Sequence, residues 1–184
     1  INIKGTAAQV AAAFAEINTN AGNANAILSD GHTLVELKAI NNATNGTIAL
    51  DNYSIALNGT AADVAAALDG ITNYTGPVTL TSAHTLAELK TINNATEGTI
   101  DLESNSYTVT LSGSTADIKD ALAGFDSGTY AGPVTIDDAA DEDIQATDIT
   151  TINDDTTGTI TVENAIDING TTAEVAAAFA VIDN

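Results

Sequence analysis

Cysteine, methionine, tryptophan and arginine are all missing from this chain, and lysine occurs only four times. Without cysteine there can be no disulfide framework and no thiolate metal site, so compactness must come from packing or from bound cations. The absence of thiols and thioethers is compatible with an oxidising exterior. Four lysines against 25 acids leave a net charge of -21 over 184 residues. Such a field repels DNA, RNA and anionic lipid, so no nucleic-acid partner is expected. Long apolar runs are missing too. The opening INIKGTAAQV has no basic segment followed by an apolar one, and no stretch approaches membrane-spanning length. No membrane insertion is expected. With aromatics at only 4%, the core must be built from Ile, Leu and Val beside closely packed, Ala-rich helices.

What the chain does have is repetition. INNATNGTI at residues 40–48 returns as INNATEGTI at residues 92–100. GTAAQVAAAFAEI from Gly5, GTAADVAAALDGI from Gly59, GSTADIKDALAGF from Gly113 and GTTAEVAAAFAVI from Gly170 are four versions of one segment. Between them stand HTLVELKAINNATNGTIAL from His32, HTLAELKTINNATEGTIDL from His84 and a diverged third version ending DITTINDDTTGTITV. Fixed-period self-similarity is the mark of a repeat architecture. By phase the chain divides into units at 1–50, 51–104 and 105–164, the third divergent with an acidic insertion, and a partial fourth at 165–184.

Each unit has a physical reading. Thr60 with Asp63 has the spacing of an N-terminal capping box, and Thr85 with Glu88 repeats it. Val64, Leu68 and Ile71 then share one helix face, as do Val10, Phe14 and Ile17, Ile118, Leu122 and Phe125, and Val175, Phe179 and Ile182. Leu86, Leu89 and Ile92 stripe the second helix, which Asn93, Asn94 and Gly98 are expected to end through left-handed conformations. GTIALDNYSIALNG reads as a β-hairpin, two period-2 runs about a polar turn. YTGPVTL and YAGPVTI supply a further short strand. The expected fold is α/β: tandem units of about 54 residues, ordered strand-helix-strand-strand-helix and stacked as a solenoid-like array. Equivalent residues should form ladders, Tyr53 over Tyr107 and Tyr74 over Tyr130.

The ends match. Residues 1–18 and 166–183 agree at 12 of 18 positions, and neither shows the polar outer face of a terminal cap. This predicts self-association end to end, or covalent continuation of the same repeat, with Val10, Phe14, Val175 and Phe179 near the junctions.

With GTAADVAAAL and ATxGTI as its signature, the Ala-, Thr-, Asp- and Asn-rich pattern resembles tandem repeats of very large secreted bacterial surface proteins. The resemblance implies an adhesin, surface-layer or extracellular-filament role. Many such proteins carry Gly-Gly-x-Gly-x-Asp calcium repeats, which are missing from this sequence.

Chemistry-bearing residues are sparse. His32 and His84 stand at equivalent helix entrances with no second ligand or base-and-nucleophile arrangement in view, so each is read as a polar helix-entry residue. No catalytic residue is assigned and no enzyme is expected. The segment DDAADEDIQATDITTINDD reads as a solvated acidic face, or else as a calcium or other hard-cation site through Asp137, Asp138, Asp141 and Asp143. Charge is asymmetric: residues 120–184 hold fourteen acids and no lysine, residues 1–119 eleven acids and four lysines. The reading reached from sequence is a non-enzymatic structural module, a stalk, surface-layer or filament building block. The alternative is a calcium- or glycan-binding adhesin domain.

Overall fold

Threonine caps five of the seven helices among the described residues, Ser114 caps one, and the helix after Gln145 has no side-chain cap. In the computed structural model, which describes residues 1–17, 22–125 and 130–183, Thr6, Thr33, Thr85 and Thr171 each cap a helix. Each accepts the N–H of the residue three positions on, while that residue's side chain returns to the cap's own N–H. These boxes satisfy donors that would otherwise lie open at a helix start. Thr60 accepts from the Asp63 N–H, but the Asp63 carboxylate turns instead to Lys38.

The chain runs β1 (Asn2–Gly5), α1 (Ala7–Glu16), β2 (Asn25–Leu28), α2 (Leu34–Ala43) and β3 (Ile48–Ala49). It continues with β4 (Leu57–Gly59), α3 (Ala61–Leu68), β5 (Val78–Leu80), α4 (Leu86–Ala95) and β6 (Ile100–Leu102). A third block follows a short 3-10 turn at Asn105–Tyr107: β7 (Leu111–Gly113), α5 (Thr115–Leu122), β8 (Val134–Ile136), β9 (Asp143–Gln145), α6 (Ala146–Asp155) and β10 (Ile160–Val162). β11 (Asp167–Asn169) and α7 (Thr172–Val181) complete the described residues.

The result is a mixed α/β fold with, among the described residues, seven helices and short strands, every strand pair parallel. Parallel neighbours need a crossover, and the helices supply it. Three sheets have the orders β1-β2-β3, β4-β5-β6 and β10-β8-β7, and β11 pairs with β9. The hairpin expected over GTIALDNYSIALNG is therefore corrected: β3 and β4 fall in different sheets, β3 beside β2 and β4 beside β5. The polar turn at Asp51, Asn52 and Ser54 does not decide pairing when a helix on each side can return the chain in parallel. Each helix packs on the next in sequence, from α1 through to α7.

The expected stripes line the core except at Ile17, which is 40% exposed, and in the fourth copy, where Val175 is half-buried and Phe179 is 62% exposed. Val64 and Leu68 are fully buried, as are Ile118 and Leu122, and Leu89 and Ile92. Two further expectations are corrected. Asn93, Asn94 and Gly98 are not left-handed, since the C-cap Thr96 leaves the helix in extended conformation. The tyrosine ladders are absent among the described ring contacts, because Tyr74 and Tyr130 turn their rings to His32 and His84.

Candidate functional site

The INNAT-x-GTI segment, written at residues 40–48 and nearly unchanged at residues 92–100, carries several residues with a mechanical task. Ile40 and Ile92 are fully buried. Asn41 Nδ2 donates to Ala67 O at 3.0 Å and Asp69 O at 2.8 Å, and Asn93 Nδ2 to Asp120 O at 2.6 Å. Each asparagine thus satisfies carbonyls left open at the end of the following odd-numbered helix. Thr96 is buried, and its hydroxyl donates to Tyr74 O and Gly76 O while accepting the Gly98 N–H at 2.9 Å. Thr156 repeats this with Tyr130 O, Gly132 O and Gly158, and Thr44 with Gly22 O, Ala24 O and Gly46.

A Thr96→Val substitution, nearly equal in volume, removes that hydroxyl and strands buried backbone groups. We expect it to cost about 2 kcal/mol, read as a shift in urea midpoint at unchanged slope.

Salt bridges add to two of these helix pairs, α2–α3 and α4–α5, and a third joins α5 to α6. Lys38 on α2 pairs with Asp63 on α3, Lys90 on α4 with Asp117 on α5, and Lys119 on α5 with Asp148 on α6 at 2.6 Å. The lysines hold the Asp63 and Asp117 carboxyls below their ordinary range. All three pairs are a third or more exposed on at least one partner, so they set register more than stability.

His32 and His84 are 4% and 5% exposed. The Tyr74 hydroxyl donates to Ile55 O at 2.6 Å, and the Tyr130 hydroxyl to Val109 O at 2.6 Å. With its proton committed, each hydroxyl accepts from histidine Nε2, at 3.1 Å from His32 and 3.0 Å from His84. That arrangement fixes the tautomer and leaves Nδ1 buried without a hydrogen-bond partner. The histidines are more than polar helix entrances: each links the start of an even-numbered helix to a tyrosine 42 or 46 residues further on. Burial pushes both tyrosines up to about 12.

Burial also lowers both imidazoles, against Glu36 and Asp30 around His32 and Glu88 beside His84. A lowered folded value means that the unfolded chain binds more protons. The stability tied to the neutral rings is complete above the ordinary value of 6.5 and is lost as pH falls below it. Urea midpoints should therefore drop between pH 7.5 and pH 5.5. A His32→Gln, His84→Gln double variant, which keeps an N–H donor near the Nε2 position, should flatten that slope.

The acidic segment is dispersed over separate tasks. Asp138 accepts the Thr115 N–H at 2.8 Å and its hydroxyl at 2.5 Å, capping α5. Asp30 accepts the Ala7 N–H and Ser82 the Ala61 N–H in the same way. Asp137 accepts from Ser112 and Asp143 from Asn169 across β9-β11, while Asp141 occupies a left-handed turn at φ 64°. Among the described residues no three His, Asp or Glu side chains gather as a metal-holding group.

Among the described residues surface hollows of about 200 to 420 Å³ occur, and five of them take in no histidine and no more than one carboxylate each. No helix among the described residues is long and apolar enough to cross a membrane.

The four residues expected near junctions separate into two pairs. Val10 and Phe14 are buried at 1% and 4% exposure under the first block, whereas Val175 is half-buried and Phe179 is 62% exposed. No known protein family, curated protein or solved structure matches this chain.

Proposed function

We propose that this chain is a non-enzymatic structural module, a stalk, surface-layer or filament building block working outside the cell. In this reading the β–α blocks are units of one solenoid-like array whose function is length. The observation that carries it is the rebuilding of one joint: Lys38–Asp63 and His32–Tyr74 reappear as Lys90–Asp117 and His84–Tyr130, and Asn41 and Asn93 each reach a carbonyl in the last turn of the following helix, at Ala67 and Asp120. Geometry repeated from joint to joint is what a stacked array needs, since each unit contacts only its neighbours. A net charge of -21 keeps such arrays apart laterally while their ends join. The partners are further units of the same kind.

Genetic concatemers of residues 1–165, in one, two and four copies, test this by electron microscopy and small-angle scattering. Rods whose length rises in proportion to copy number are expected. Independently tumbling beads, or a compact particle, would overturn the reading.

A further inference from the structure

The fourth copy of the Ala-rich helix is the uncovered one. Phe179 stands where Phe14, Leu68 and Leu122 stand in α1, α3 and α5, and those three are 4%, 0% and 0% exposed against its 62%. The difference has a visible source. Each of α1, α3 and α5 is packed by the strand and helix that follow it: β2 with α2, β5 with α4, β8 with α6. β1, β4 and β7 likewise pair with that following strand. On α7 and β11 no such cover is present among the described residues, and β11 pairs with β9 alone. Phe179, Ile182, Ile168, Ile166 and Val162 line an apolar groove of about 220 Å³ there.

We propose that this groove is an acceptor face for one β–α half-unit of the β2–α2 kind, supplied in cis by the same polypeptide. The inference rests on reading the blocks as units of one array. Continuity names the occupant. Residues 166–183 restate residues 1–18 at 12 of 18 positions, and the next elements after residue 18 are β2, with Ala26 and Leu28 buried, and α2, with Leu37 and Ile40 fully buried. The strand extends the sheet at β11, and the helix lays its Leu and Ile stripe over Val175 and Phe179. A second copy does not fit, because it presents α1 first, and the Val10 and Phe14 stripe of α1 is already covered by its own β2 and α2. This replaces the end-to-end contact through Val10 and Phe14 with a joint in which an even-numbered helix must stand between α7 and the next Ala-rich helix.

The test appends residues 20–50 directly after Asn184 of the full chain, since Asn184 occupies the position of Thr19 in the 165-residue offset. With no native cysteine, Phe179→Cys reports cover by its rate of maleimide labelling. The extended chain should label roughly tenfold more slowly than the 184-residue chain and melt about 5 °C or more higher. The same extension carrying Leu37→Asp and Ile40→Asp in its appended segment should give neither change, which separates docking from added length. Unchanged labelling in the extended chain overturns the proposal. So does a 184-residue Phe179→Cys chain that sediments as a dimer with its thiol protected, because a second copy is then the occupant. Protection in the extended chain beside concatemers that form no rods leaves this joint standing and removes the structural-array function.

Discussion

Replacing Gly98 with alanine should cost about 3 kcal/mol or more, a large share of the roughly 5–15 kcal/mol that holds a typical domain together. Gly98 has an ordinary negative φ, so the cost is one of space rather than of backbone conformation. A Cβ there would sit 2.7 Å from the Gly76 carbonyl carbon and 2.9 Å from Thr75 O, and closer still to the Gly76 oxygen. All of these are backbone atoms that cannot swing aside, and Thr96 holds the same carbonyl by its hydroxyl. Gly46 meets Ala24 in the same way, and Gly158 meets Gly132. Gly70 supplies the contrast. It has φ +71° with open space around the missing Cβ, so Gly70→Ala should cost only the left-handed penalty of about 1 kcal/mol. Denaturant midpoints of the two variants check both numbers. Equal losses would mean that backbone approach is not what the ATxGTI glycine serves.

That glycine also shows where sequence reading stops. The helices were legible because their signals are local. A threonine three residues before Gln or Glu, with apolar residues following at helical spacing, defines a helix start and a buried face without reference to the rest of the chain. Strand existence was legible for a similar reason, since VTL and IDL runs between turns read as strands. Strand partners were not. Two period-2 runs flanking Asp51, Asn52 and Ser54 fit a hairpin and fit two parallel strands in separate sheets equally well, because the pairing depends on the helices that return the chain. The backbone columns that demand Gly98 join residues 22 apart, and no local pattern shows them.

The site was less legible than the fold. His32 and His84 stood out as equivalent, but their partners Tyr74 and Tyr130 lie 42 and 46 residues away, so the relay to a backbone carbonyl is visible only in three dimensions. Asp137, Asp138, Asp141 and Asp143 read as one group because they are close in sequence, whereas the individual partners of Asp137, Asp138 and Asp143 are visible only in three dimensions. Asp138 is the counterpart of Asp30, which lies in no acidic run. A comparison of those two aspartates, each placed shortly after the second strand of its block, could have found that role.

The sharpest test of matched sequence in unmatched surroundings is a pair of identical substitutions. Phe14 and Phe179 occupy the same place in AAAFA, which the chain writes in full at residues 11–15 and 176–180, so local helix propensity and helix entropy are equal for the two. Phe14 is 4% exposed and belongs to the core with Val10, Ala26 and Leu37, while Phe179 is 62% exposed. Phe14→Ala should therefore lose transfer energy and leave a cavity, costing about 3–5 kcal/mol. Phe179→Ala removes a ring that is mostly in water already, and its cost should stay below about 1 kcal/mol. Thermal melts of the two variants separate the values by roughly 5 °C or more for a chain of this size. Comparable losses at both positions would mean that something covers Phe179 in solution. If the loss at Phe179 then vanished on dilution, the cover would be another molecule, and if it persisted, α7 would pack differently from the arrangement described above.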